Sequence, residues 1–205
     1  MVVYLFVFYL TSLFTYIAQR NIKKSGIFYF FSLLAILFPA LLAGFRNPGI
    51  GTDTLVYVDY IWDKILFVPQ WNDFMFSYKN GNFADIEFIY LLLNWLTSHV
   101  ISDVNGIYFV ANAITMYFVY RTAYDNRDRC DMWLSMALFL LLYYNASLNM
   151  VRQSIALSIC MYAYKYIERE QWLKVGIWGI LIILTHIFTN CNYFVKSIIF
   201  LLSTR

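Results

Sequence analysis

Apolar runs long enough to cross a bilayer constrain this chain more than any motif in it. A hydrocarbon core of ~30 Å needs ~20 apolar residues, or about 17 at the short end. Runs of that size lie at about 2–18, 27–44, 104–120, 132–148, 151–167 and 172–190. Only 13% of the 205 residues are charged and 61% are hydrophobic, whereas a soluble domain is about one-quarter charged. In lipid a backbone must satisfy its own polar groups, so apolar runs of this length predict helices. The expected fold is all-α: a polytopic transmembrane helix bundle of about six spans, built as a single integral membrane domain over 1–205. The N-terminal stretch lacks a basic n-region and a small-residue cleavage site, and is expected to be a retained first span.

Lys and Arg in short loops set the orientation. Arg20, Lys23 and Lys24 in 19–26, Arg121, Arg127 and Arg129 in 121–131, and Lys165, Arg169 and Lys174 in 164–174 predict three cytoplasmic connections. The stretch 86–101 is short and carries Glu87, Asn94 and His99. A full crossing there would deliver 121–131 to the wrong side, so it is expected to be a re-entrant or interfacial helix on the outer side. A long external loop of about 45–85 precedes it. Residues 132–168 contain no Gly or Pro, yet one helix through them would be roughly 55 Å long. A reversal or kink is therefore expected at 145–153, at the outer face.

That topology gathers polar side chains at one boundary. Arg152 offers a planar five-donor fork suited to phosphate oxygens; the alternative is an Arg snorkelling to lipid head groups. Asn145 and Asn149 share a face with it if the backbone stays helical, and Gln153 adjoins it. His186 suits proton transfer or, alternatively, hydrogen-bonded packing. In 44–60, Asn47-Pro48-Gly49 reads as a turn. Asp53 reads either as a base or as the N-cap of an amphipathic segment starting near Thr54. Arg46, which the cap does not explain, is a second anion-binding candidate. Glu87 is either a polar member of this site or a first-turn acid complementing a helix dipole, and Asn94 would be costly facing lipid. GIGTD lacks the spacing of a nucleotide loop.

The net charge of +3 is dispersed, which gives no nucleic-acid stripe. Cys130, Cys160 and Cys191 are far apart without CxxC spacing, so no disulfide framework, metal site or cofactor is expected. Much of the aromatic content, with 18 Tyr and 6 Trp, reads as interface belt and packing.

Taken in order, FRNPGIGTDTLVYVDY (45–60), IEFIYLLLNWL (86–96), NMVRQSIALSICMYAYKYI (149–167) and LTH (184–186) resemble the EpsG family of bacterial polysaccharide polymerases, which are similar in role to Wzy-type enzymes. The resemblance covers roughly residues 40–190. It implies a multi-pass protein of the bacterial plasma membrane that polymerises exopolysaccharide, capsule or O-antigen repeat units. The substrate implied is a polyprenyl-diphosphate-linked oligosaccharide at the outer face, with membrane lipid and other polysaccharide-assembly proteins as partners. Arg46, Arg152, Gln153, Asn149, Glu87 and Asn94 are then the substrate-binding candidates, and Asp53 and His186 the candidate bases. A flippase or transporter for the same lipid-linked sugars is the alternative. Such proteins resemble chains of about twice the mass, so this chain is expected to be a C-terminally truncated copy, the N-terminal part of a longer polymerase, and as such an inactive fragment is a further alternative.

Overall fold

The computed structural model describes residues 2–47, 54–83 and 86–186, apart from the side chains of 54–56. All regular structure among them is helical: α1 (Val2–Arg20), α2 (Ser25–Gly44), α3 (Tyr60–Leu66), α4 (Trp71–Lys79), α5 (Phe88–Ser98), α6 (Asn105–Asp125), α7 (Met132–Leu142), α8 (Tyr144–Asn149), α9 (Val151–Glu168) and α10 (Trp172–Thr185). A π-helical turn, Thr54–Asp59, leads directly into α3. The segment expected as a long loop is thus helical over most of its described length. Its first helical residue falls where the amphipathic stretch was read to begin.

α1 and α2 are long and apolar enough to cross a bilayer. They pack as a pair, and α2 also packs along α6. Close approach there depends on small side chains, since Ala35, Ala40 and Ala43 are buried. A Cβ added to Gly44 would come within 2.9 Å of Phe109 Cβ. Small residues let helix backbones approach where lipid offers no hydrophobic drive to associate. Hydroxyls inside the bundle bond back to their own helix: Thr15 donates to Thr11 O at 2.8 Å and Thr115 to Ala111 O at 3.0 Å. Outward positions such as Phe6, Phe30, Leu138 and Ile180 leave about half or more of their surface uncovered, as side chains that face lipid do.

The three basic connections meet at one end of the bundle. Gln19 at the end of α1 donates to Asp131 Oδ1 at 2.7 Å and accepts the Met132 N–H at 3.0 Å, so it caps the start of α7. Arg129 pairs with Glu168 at 2.9 Å, and Lys165 with Asp125 at 2.7 Å. α6 and α9 therefore both end here and begin at the far end. α6 runs between two apolar cores. One is formed with α3, α4, α5, α9 and α10 around Tyr90, Ile107 and Ile155. The other is formed with α1, α2, α7 and α8 around Met116, Met136 and Tyr144.

α5 has 11 residues, about 16 Å, and does not run the length of the bundle. Glu87, just before it, meets the start of α9 and the end of α10. Thr97, in its last turn, touches Gly106 at the start of α6. Both its ends thus stay at the far end.

The single helix read over 132–148 is corrected: it is α7 and α8, broken at Tyr143, and a second break at Met150 (φ −99°, ψ 62°) starts α9. With no Gly or Pro to interrupt it, the local sequence favours continuity, but tertiary contacts override it. Tyr144 is buried and donates its hydroxyl to Pro39 O of α2, and Arg46 Nη1 donates to Leu148 O. The break at Met150 separates Asn145 and Asn149, which both lie in α8, from Arg152 in α9; Asn145 is exposed.

Candidate functional site

The far end carries a buried charge cluster built on three elements. Glu87 stands in the extended residue ahead of α5 (φ −66°, ψ 140°), Arg152 in the first turn of α9, and His186 just past the last turn of α10. Glu87 Oε2 accepts from Arg152 Nη1 at 2.8 Å, and its Oε1 lies 2.8 Å from His186 Nδ1. The three side chains are only 7%, 16% and 14% exposed, respectively. One carboxylate is therefore shared by a permanent cation and an imidazole. The bond to Glu87 favours the proton on Nδ1, which makes Nε2 the basic nitrogen of neutral His186.

Tyr57, Val58, Asn149, Met150, Val151, Arg152, Gln153 and His186 line a small, open hollow beside this cluster. Four of the expected site residues, Asn149, Arg152, Gln153 and His186, thus share one wall, and Glu87 holds two of them. Asn149 Oδ1 is buried without a hydrogen-bond partner among the described residues, so it can accept from a ligand hydroxyl. The Arg152 guanidinium carbon lies 5.0 Å from the Tyr57 ring centre and 5.9 Å from that of Tyr90. Burial pushes the Tyr90 hydroxyl up to about 12, so it stays protonated and serves as packing and dipole rather than as a base.

Arg46 does not line this hollow. It is 8% exposed and stacks on Tyr108 with its guanidinium carbon 4.0 Å from the ring centre, while Tyr108 donates to Asp59 Oδ1 at 2.7 Å. Its Nε and Nη2 have no partner among the described residues. They belong to a second, narrower space, shared with Asn112, Thr115, Ser147 and Leu148, that has Val151 as a common wall with the first. Arg46 therefore ties the π-helical turn, α6 and the α8–α9 break together, one residue away from Arg152.

Asn94 lines neither space. It is fully buried and donates to Tyr90 O of its own helix at 2.8 Å. Asp53 lies outside the described residues. The sequence reading missed Tyr57, Tyr90, Asp59 and Asn112. Of these only Asn112 carried a local signal, as an amide in the middle of an apolar run.

Neither the curated proteins nor the solved structures give a match to this chain. The family model described as the EpsG family matches residues 29–203, a span that includes both hollows and all three members of the charge cluster. The chain belongs to the EpsG family, a membership that points to a membrane protein of the polysaccharide-polymerase type.

Proposed function

We propose that the chain polymerises glycan repeat units carried on a lipid diphosphate, at the non-cytoplasmic face of a bacterial plasma membrane. The observation that carries this reading is the position of the Arg152–Glu87–His186 cluster. It sits at the end of the bundle opposite the basic connections, and short Lys/Arg-rich loops stay cytoplasmic. In this frame α5 lies on the outer side and the bundle is multi-pass. Exopolysaccharide, capsule and O-antigen repeat units are the substrates in view, and other polysaccharide-assembly proteins the partners.

The chemistry follows from charge. An acceptor sugar hydroxyl bonds to the anomeric carbon of the growing chain, while the bond from that carbon to the diphosphate oxygen breaks. The diphosphate leaves with the electron pair, and the hydroxyl proton passes to His186 Nε2. Charge gathers on the leaving phosphate, so a preorganised cation aimed there lowers the barrier. Arg152 is that cation, with Arg46 as the second candidate one residue behind it. Glu87 orients His186 and stabilises its protonated form, in the manner of the carboxylate in a catalytic triad. Asn149 and Gln153 hold sugar hydroxyls. Asp53 remains the alternative base.

The test is polymer chain length in cells lacking the native gene and supplied with variants of this chain. Arg152→Ala and His186→Gln are expected to stop polymer growth while lipid-linked repeat units accumulate. Full-length polymer from Arg152→Ala would remove the diphosphate clamp and the reading with it.

A further inference from the structure

The turn from α3 to α4 is built for a non-aqueous setting. Trp95 Nε1–H donates to Val68 O at 3.1 Å, and His99 Nε2 lies 3.0 Å from Pro69 O. The N–H groups of Phe67 and Val68 bond to the Lys64 and Ile65 carbonyls, and Pro69 has no N–H to satisfy. A turn in water leaves carbonyls of this kind to solvent, whereas one at membrane depth needs protein donors for them. Here the Trp95 indole supplies one for Val68 O, and His99, whose Nδ1 lies 2.7 Å from Trp95 O, sets its Nε2 against Pro69 O.

The side chains around the turn match that backbone. Phe67 is 85% exposed and Val100, at the end of α5, 84%; Leu66, Trp71 and Leu96 leave about half of their surfaces open. Residues 65–72 and 88–102 contain no Asp, Glu, Lys or Arg. The nearest charges in sequence, Asp63, Lys64, Asp73, Glu87 and Asp103, flank the crest rather than occupy it. Trp71 and Trp95 meet edge to face at 5.5 Å at its base, the residue type and place of a membrane-interface anchor.

We infer that this crest, the α3–α4 turn with the end of α5, is seated in the far-side leaflet, with lipid acyl chains covering Phe67, Trp71, Leu96 and Val100. α3 and α4 then form a membrane-dipping helical hairpin, not a water-exposed loop. It holds α5, and Glu87 at its other end, at the lipid boundary from which a lipid-borne substrate would arrive. The inference rests on the chain being a membrane protein, and not on the reaction proposed for it.

The test uses the whole chain in phosphatidylethanolamine–phosphatidylglycerol vesicles, with Cys130, Cys160 and Cys191 replaced by Ala. Spin labels are placed singly at Phe67→Cys, Val100→Cys, Leu138→Cys as the lipid control and Lys79→Cys as the water control. Collision rates with oxygen and with a soluble nickel chelate are then compared. The oxygen-to-nickel ratio is expected to be several-fold higher at 67 and 100 than at 79, and close to that at 138. Labels at 67 and 100 that match 79 while 138 stays in lipid overturn the inference. Labels shielded from both reagents overturn it too, since a protein then covers the crest. A water-like label at 138 removes the membrane premise itself, whereas loss or survival of polymer in the variants above bears only on the reaction.

Discussion

Glu87 and His186, 99 positions apart, meet through Oε1 and Nδ1 at 2.8 Å, and the other oxygen of the same carboxylate holds Arg152. One acid therefore sets the geometry of both groups to which chemistry is assigned. Replacing it by Gln keeps the shape but removes the charge that stabilises an imidazolium. Glu87→Gln is expected to slow polymerisation by about 10²-fold or more, within the range for disabling a general base. The measurement is the rate of polymer formation in membranes given lipid-linked repeat units, and an unchanged rate would remove Glu87 from the mechanism.

Glu87→Ala should behave differently from Glu87→Gln in stability. Both replacements remove the ion-pair partner of the Arg152 guanidinium, 16% exposed, but Gln keeps an amide oxygen that can accept from its Nη1. Ala leaves that buried donor unmet and opens a void, which costs about 1–3 kcal/mol more. The expected result is a clearly lower Tm for the Ala variant in detergent than for the Gln variant, and equal Tm values would contradict it.

Arg46→Met bears on both structure and binding. Two nitrogens of the buried guanidinium have no partner among the described residues, while the third donates to Leu148 O at the α8–α9 break. Met would leave that carbonyl unmet, at a cost of about 1–3 kcal/mol, so Tm is expected to fall, and polymer is lost as well if the unpaired donors serve an anion. An unchanged Tm would show that the bond to Leu148 O and the Tyr108 stack do not hold the break.

Gly44→Ala is expected to destabilise the α2–α6 contact by about 1–3 kcal/mol, the usual cost of overpacking. The atom met by the new methyl is Phe109 Cβ, at 2.9 Å. Phe109→Ala keeps that atom and should not rescue the variant, while Phe109→Gly should relieve the clash. Rescue by Ala would show that the aromatic ring, and not the backbone approach, sets the limit.

Gln19→Ala should loosen the basic end alone. Its side chain caps the start of α7 and fixes Asp131, and loss of an N-terminal cap costs about 1 kcal/mol. Hydrogen exchange is expected to rise in the first turn of α7 with no change at Glu87, Arg152 and His186. A matching rise at the far end would mean the two ends are coupled.

Hydrophobic run length and the absence of charge were enough, in the sequence alone, to place nearly every long helix. The starts of α2, α6, α7, α9 and α10 fall at or within two residues of the apolar runs, because in an apolar medium a backbone has few alternatives to helix. The clustering of Lys and Arg in three short connections likewise anticipated which ends lie together. Order along the chain was also sufficient to nominate Arg152, Glu87 and His186. It could not pair them, since Glu87 lies 65 positions from Arg152 and 99 from His186, and no local pattern encodes so distant a meeting. A kink within 145–153 was expected from chain length alone, and the structure sets it at Met150. Only the tertiary structure decided two other matters: the retreat of Asn94 into the core and the removal of Arg46 to a separate space. Both follow from packing: Asn94 is enclosed and bonded to Tyr90 O of its own helix, and Arg46 is claimed by the Tyr108 ring and the Leu148 carbonyl, partners that no local pattern encodes.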